Sequence, residues 1–137
     1  MKLITPMILF LVVSCTENSQ VSGVYLCKDY SEEYGGTLYL LDKGNDSTLM
    51  SLCLIQNLKL GSVNGTIRFA GDTAIYSGPN CRDYKIKFIN YIDSIEVIEY
   101  SSNCFPEYFG NGVRAYGTFY RSTKKPSKEK LLIDPCS

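Results

Sequence analysis

The chain contains no histidine and no tryptophan. Without histidine there is no Ser-His-Asp or Cys-His mechanism, no usual histidine-containing zinc site and no histidine pH switch. Any catalysis would fall to carboxylates, lysine, tyrosine or thiols. A basic surplus is lacking too: 14 Lys and Arg stand against 14 Asp and Glu, a formal net charge of +0. Phosphate binding draws on such a surplus, so nucleic acid is not an expected partner. There is no Cys-x-x-Cys, hence no thioredoxin-like or zinc-ribbon motif. No stretch sustains a 3.6-residue apolar period, so almost no helix is expected. No cofactor and no metal site is expected either.

What is present points outward from the cytoplasm. Six cysteines in 137 residues suit an exported, disulfide-linked domain. After Met1-Lys2, Leu3 to Val13 is an apolar run broken by Thr5 and Pro6. It is about half the roughly 20 residues that cross a bilayer as a helix, which fits a signal peptide. The run closes Leu11-Val12-Val13-Ser14-Cys15 and resembles the bacterial lipobox. The resemblance implies cleavage before Cys15, a diacylglycerol thioether on its sulfur and a further acyl chain, such as palmitate, on its amine. Two or three chains anchor a protein firmly where one does not. The alternative is an ordinary signal peptide with Cys15 unmodified or in a disulfide. Thr16 to Gln20 is a polar tether, and Thr16 carries no inner-membrane retention signal. The expected location is the bacterial cell envelope, lipid-anchored, on the periplasmic face of the outer membrane.

Four regions follow: a signal peptide over 1–14, a lipidated tether over 15–21, a β-barrel domain over 22–121, and a basic linker and tail that packs back over 122–137. Short alternating segments punctuated by turn residues predict an all-β fold, a small antiparallel barrel of about eight strands. Strands are expected at Gly23–Asp29, Thr37–Leu41, Ser47–Gln56, Thr66–Ala70, Thr73–Tyr76, Tyr84–Tyr91, Ser94–Tyr100 and Val113–Arg121. Asp42–Asp46 is read as a hairpin loop, and Gly61 with Asn64-Gly65 as bracketing a turn. In the Tyr84–Tyr100 hairpin the predicted register sets Phe88 opposite Ile98, Ile86 opposite Tyr100 and Lys87 opposite Glu99, an opposite-charge pair.

That register brings Cys81 and Cys104 together, a disulfide closing a loop of about 23 residues and worth roughly 3 kcal/mol. Cys27–Cys136 is the second expected bridge, because first and last elements meet when a barrel closes. Cys53, between Leu52 and Leu54, reads as a buried thiol, with Cys27–Cys53 as the competing pair. The basic stretch Arg121–Lys130 reads as a solvated linker, and Leu131-Leu132-Ile133 as an apolar tail.

Candidate chemistry is sparse. Glu32-Glu33 reads as a solvated loop pair; Glu96 and Glu99 lie an odd number apart and face opposite sides of one strand. Phe105, Tyr108, Phe109, Tyr116, Phe119 and Tyr120 crowd the C-terminal third. Exposed, they could stack on sugar or peptide; strand packing is the plain alternative. Gly110-Asn111-Gly112 reads as a turn.

Gly23-x-Tyr25, Asn64-Gly65-Thr66-Ile67, Gly71-Asp72-Thr73-Ala74-Ile75-Tyr76, Tyr84-x-Ile86-x-Phe88, Cys104, Gly110-x-Gly112-Val113 and Gly117-x-x-Tyr120 together resemble small exported bacterial proteins with a lysozyme-inhibitor-like, calycin-style β-barrel. The resemblance implies a disulfide involving Cys104 and, for the membrane-bound inhibitors, a loop inserted into the lysozyme cleft. Ser22-Gly23-Val24-Tyr25 falls one residue short of their Ser-Gly-x-x-Tyr loop, so no inhibitory residue is carried over. The expected protein is not an enzyme: it is a monomeric, membrane-anchored binding protein for an envelope protein or glycan. A carrier of a small apolar ligand, lined by Met50, Leu52 and Leu54, is the alternative.

Overall fold

The computed structural model describes residues 21–28, 34–57, 59–78, 83–100 and 113–126. They form nine strands: β1 Gly23–Lys28, β2 Tyr34–Gly44, β3 Ser47–Gln56, β4 Lys59–Ile67, β5 Phe69–Ala70, β6 Thr73–Ser77, β7 Lys85–Asn90, β8 Ser94–Tyr100 and β9 Tyr116–Arg121. Every pairing is antiparallel, in the order β4-β3-β2-β1-β9-β8-β7-β6-β5. The end strands β4 and β5 are separated in sequence by Arg68 alone, so the sheet curls into a nearly closed barrel. The all-β expectation holds, with nine strands in place of about eight.

The interior follows from the two-residue period of each strand. Tyr25 and Cys27 of β1, Leu38 and Leu40 of β2, and Met50, Leu52 and Leu54 of β3 join Ile86, Phe88, Ile95, Val97 and Phe119 in one buried cluster. Each fully buried Leu, Ile or Phe contributes about 1.5–3 kcal/mol. The seam between β4 and β6 is shut by side chains: a Cβ on Gly65 would stand 2.8 Å from the Tyr76 ring, so glycine there lets the ring lie across the gap.

At one rim Arg121 ties the last strand to the first, where the β1–β9 register spans two pairs, Tyr25↔Arg121 and Leu26↔Tyr120. Its Nη1 donates to the Ser22 carbonyl at 2.8 Å. Its Nη2 donates to the Tyr25 hydroxyl at 2.7 Å and to the Ile92 carbonyl at 3.2 Å. The guanidinium also lies 4.9 Å over the Tyr25 ring, and the Tyr25 hydroxyl donates to the Val21 carbonyl at 2.7 Å. Ser22-Gly23-Val24-Tyr25 is therefore strand and rim, with Tyr25 fully buried.

Three sequence expectations are corrected. Gly61, Asn64 and Gly65 lie inside β4, and the reversal comes earlier, after Asn57, which takes a φ of 50°. The second strand runs from Tyr34 to Gly44, so the reversal shrinks to Asn45 and Asp46, both left-handed at 54° and 62°. The hairpin register is offset by one: Phe88 faces Val97, Ile86 faces Glu99 and Lys87 faces Ile98. The cause is the turn. Ile92 adopts a φ of 78°, its N–H bonds Asn90 Oδ1 at 2.8 Å, and Tyr91 N–H bonds the Ser94 carbonyl at 2.9 Å. This register sends β-branched Ile95 and Val97 inward. Glu99, the polar member of that face, accepts the Ala115 N–H at 2.6 Å.

The cysteines separate by face. Cys27 points into the barrel, its Sγ 3.1 Å from where a Cβ on Gly117 would stand. Cys53 alternates with inward Leu52 and Leu54 and so faces outward, two strands away in the β1-β2-β3 ladder. At about 4.8 Å per strand the two lie beyond bridging distance, so Cys27–Cys53 is excluded. Cys53 is disulfide-bonded, which overturns the buried-thiol reading. Cys15, Cys81, Cys104 and Cys136 lie outside the described residues, as do the signal peptide, most of the tether and the end of the tail.

Burial raises the pKa of Tyr25, against a lowering by Arg121, and burial raises that of Tyr34 as well. The folded state thus holds these protons where the unfolded chain, titrating near 10, releases them. Their stabilisation is fully present below about pH 10 and is lost as pH rises further. A denaturation midpoint should fall between about pH 9 and about pH 11, and the fall should shrink in Tyr25→Phe and Tyr34→Phe. An unchanged midpoint would count against buried phenols.

Candidate functional site

The outward face of β6–β9 is built by alternation. Lys85, Lys87 and Ile89 alternate with inward Ile86 and Phe88; Glu96, Ile98 and Tyr100 alternate with inward Ile95 and Val97. Register carries one row across four strands: Ile75 opposite Lys87, Lys87 opposite Ile98, Ile98 opposite Tyr116. Tyr100 stands opposite Lys85 and Tyr120 opposite Ser94. Ile75, Ile98, Tyr100, Tyr116 and Tyr120 are all exposed. The result is an aromatic and aliphatic surface with two lysines set within it.

Tyr116 is held in place from one side. Its ring stacks on Tyr34, with centroids 4.4 Å apart and planes 15° from parallel. The Tyr34 hydroxyl donates to the Tyr116 carbonyl and accepts the Tyr116 N–H at 3.2 Å. Gly117, at a φ of 122°, leaves room for this: a Cβ there would stand 3.4 Å from the Tyr34 ring. At the far end of the face the Tyr91 hydroxyl donates to Glu96 Oε2 at 3.2 Å, and that bond raises the tyrosine pKa.

Of the six aromatics singled out in the sequence, Tyr116 and Tyr120 reach this surface while Phe119 turns into the core. Phe105, Tyr108 and Phe109 lie outside the described residues, as do Glu32, Glu33 and Gly110–Gly112. Ile75, Ile98, Tyr100, Lys85 and Lys87 were not foreseen. Even-odd parity within β7–β9 carries the signal, but the assumed register had turned Ile98 and Tyr100 inward. Glu96 and Glu99 do face opposite sides.

Among the described residues no three His, Cys, Asp or Glu gather where they could hold a metal ion. A groove of about 480 Å³ lies at the seam, lined by Thr66, Ile67, Arg68, Ala70, Thr73 and Ile75, the last shared with that surface. Comparison with known protein families, with curated proteins and with solved structures finds no match to this chain.

Proposed function

We propose that this chain is a non-catalytic binding domain of the bacterial cell envelope, anchored through lipid on Cys15 at the periplasmic face of the outer membrane. Its binding surface is the outward face of β6–β9. The observation that carries the reading is the cluster of exposed Tyr and Ile side chains across adjacent strands. Exposed aromatic and aliphatic side chains gathered on one face, here with Lys85 and Lys87 among them, mark interaction sites on otherwise soluble domains. Tyrosine suits such work because its flat ring packs on sugar or peptide while its hydroxyl stays wetted. A ring already fixed by Tyr34 loses little freedom on binding.

Lysozyme inhibition is the sharpest version of this proposal, in keeping with the resemblance. The carrier alternative draws less support, because Met50, Leu52 and Leu54 are buried in one cluster with Phe88 and Phe119.

The test uses the soluble chain with Cys15→Ser in two assays: slowing of c-type lysozyme on cell walls, and sedimentation with peptidoglycan. We expect micromolar domain to register in at least one. The Tyr100→Ser/Tyr120→Ser variant should lose about tenfold or more in affinity, as removal of aromatic anchors does, with an unchanged melting curve. No effect in either assay, or full retention by the variant, would sink the proposal.

A further inference from the structure

The barrel has a second outward face, on β1–β3, and it behaves unlike the first. Val24 stands opposite Tyr39, and Tyr39 opposite Ser51, in a row across three strands. All three side chains point away from the barrel axis, since their neighbours Tyr25, Leu38 and Leu52 point into it. Yet Val24 is 1% exposed and Tyr39 8%. Tyr116 and Tyr120, outward on the neighbouring strand β9, are 46% and 63% exposed. Ser51 is fully buried, and its Oγ has no hydrogen-bond partner among the described residues. The half-buried Leu26, Leu41 and Leu49 flank the pair without overlying it, because they belong to the same sheet face. Two residues along β3 from Ser51, on this same face, sits the disulfide-bonded Cys53.

We infer that the C-terminal segment Leu131–Ser137 lies across the outward face of β1–β3 and is fastened there by a Cys53–Cys136 disulfide. Three features converge on this occupant. The segment supplies Leu131-Leu132-Ile133 followed by Cys136, an apolar patch and a sulfur in the order the face presents them. The chain leaves β9 beside β1, at the border of that face: Ser122 N–H and Oγ both bond the Val24 carbonyl, at 2.8 and 2.7 Å. The span is short: Val24 and Cys53 are two strands apart, about 10 Å, and the residues between Ser122 and Cys136 reach several times that when extended.

Bond formation balances simply. Each thiol gives up a proton, the two sulfurs together give up two electrons, and the acceptor is the disulfide of an exported dithiol oxidant, released as two thiols. Only the oxidant depends on the export reading.

Trypsin places the relevant cysteines in separate peptides: Cys53 in 44–59, Cys81 in 69–82, Cys104 in 88–114 and Cys136 in 131–137. The full chain from the membrane fraction, alkylated and digested without reduction, should yield 44–59 joined to 131–137 as one mass. Reduction should split it into two. Linkage of 44–59 to any other peptide, or alkylated Cys53, overturns the proposal. The purified chain oxidised with glutathione disulfide should form the same link, so failure of export is distinguishable from failure of this pairing. In a chain ending at Lys130, hydroxyl-radical labelling of Tyr39 should rise several-fold toward that of Tyr120. Unchanged labelling would mean that something else covers the face.

Discussion

Replacing Phe119 by alanine is expected to destabilise the domain by about 3–5 kcal/mol. The ring is fully buried, belongs to β9, and reaches beneath β1 to within 3.2 Å of where a Cβ on Gly36 of β2 would stand. It therefore bridges strands that are not neighbours, and its loss leaves a void that one strand cannot fill by relaxing. For a small domain with a total stability of about 5–15 kcal/mol, this removes a large share. The melting temperature should drop by roughly 12–40 °C, at about 4–8 °C per kcal/mol. Phe119→Leu keeps most of the volume and should cost about 1.5 kcal/mol or less. A Phe119→Ala protein that melts within a few degrees of the parent would show the interior to be hollow or yielding. The carrier reading would then regain ground.

The second large effect concerns Gly36. Here the constraint is space, not conformation. A Cβ at this position would meet the Cys53 carbonyl oxygen at 2.7 Å, Leu54 Cδ2 at 2.8 Å and Phe119 Cε2 at 3.2 Å. Leu54 can swing its end away, and the Phe119 ring can shift slightly. The carbonyl cannot, because it belongs to β3, whose ladder runs unbroken beside β2 from Gln56 to Thr48. Gly36→Ala should cost about 1–3 kcal/mol, and Gly36→Val about 3 kcal/mol or more. Gly35 supplies the control: its added Cβ would meet the Cys27 carbonyl at 3.4 Å, an ordinary contact. Gly35→Ala should be near neutral, or gain up to about 1 kcal/mol by stiffening the unfolded chain. Equal denaturation midpoints for the two alanine variants would refute this account of the β2–β3 contact.

Where neighbours along the chain decide the structure, the sequence could be read. The strand Ser47–Gln56 is bounded as expected, with Met50, Leu52 and Leu54 inward, because apolar alternation and the Asn45-Asp46 reversal both act locally. Gly71, at a φ of 66°, turns where a Gly-Asp pair suggests. Residues chosen by distant partners were not legible. Gly65 looks like a turn former but serves a ring eleven residues away. The register of the β7–β8 hairpin depends on Ile92, a β-branched residue held at positive φ, an uncommon choice that no propensity would nominate. That single offset hid Ile98 and Tyr100. Parity alone would have parted Phe119 from Tyr116 and Tyr120, since β9 alternates around it. The bonding of Cys53 was hidden for a related reason: its flanking leucines advertise burial, but they point the other way.

The Arg121 bracket has a geometric consequence for how the domain is presented. Val21, which precedes the first strand, and Ser122, which follows the last, sit together at one rim beside the Asp93 turn. Both ends of the domain thus leave through the same doorway. If the leading end is moored to a bilayer, the barrel hangs from that rim like a bell from its yoke. The opposite mouth, where Tyr34 clasps Tyr116, then swings free into the surrounding space, offering the tyrosine face sideways along its flank.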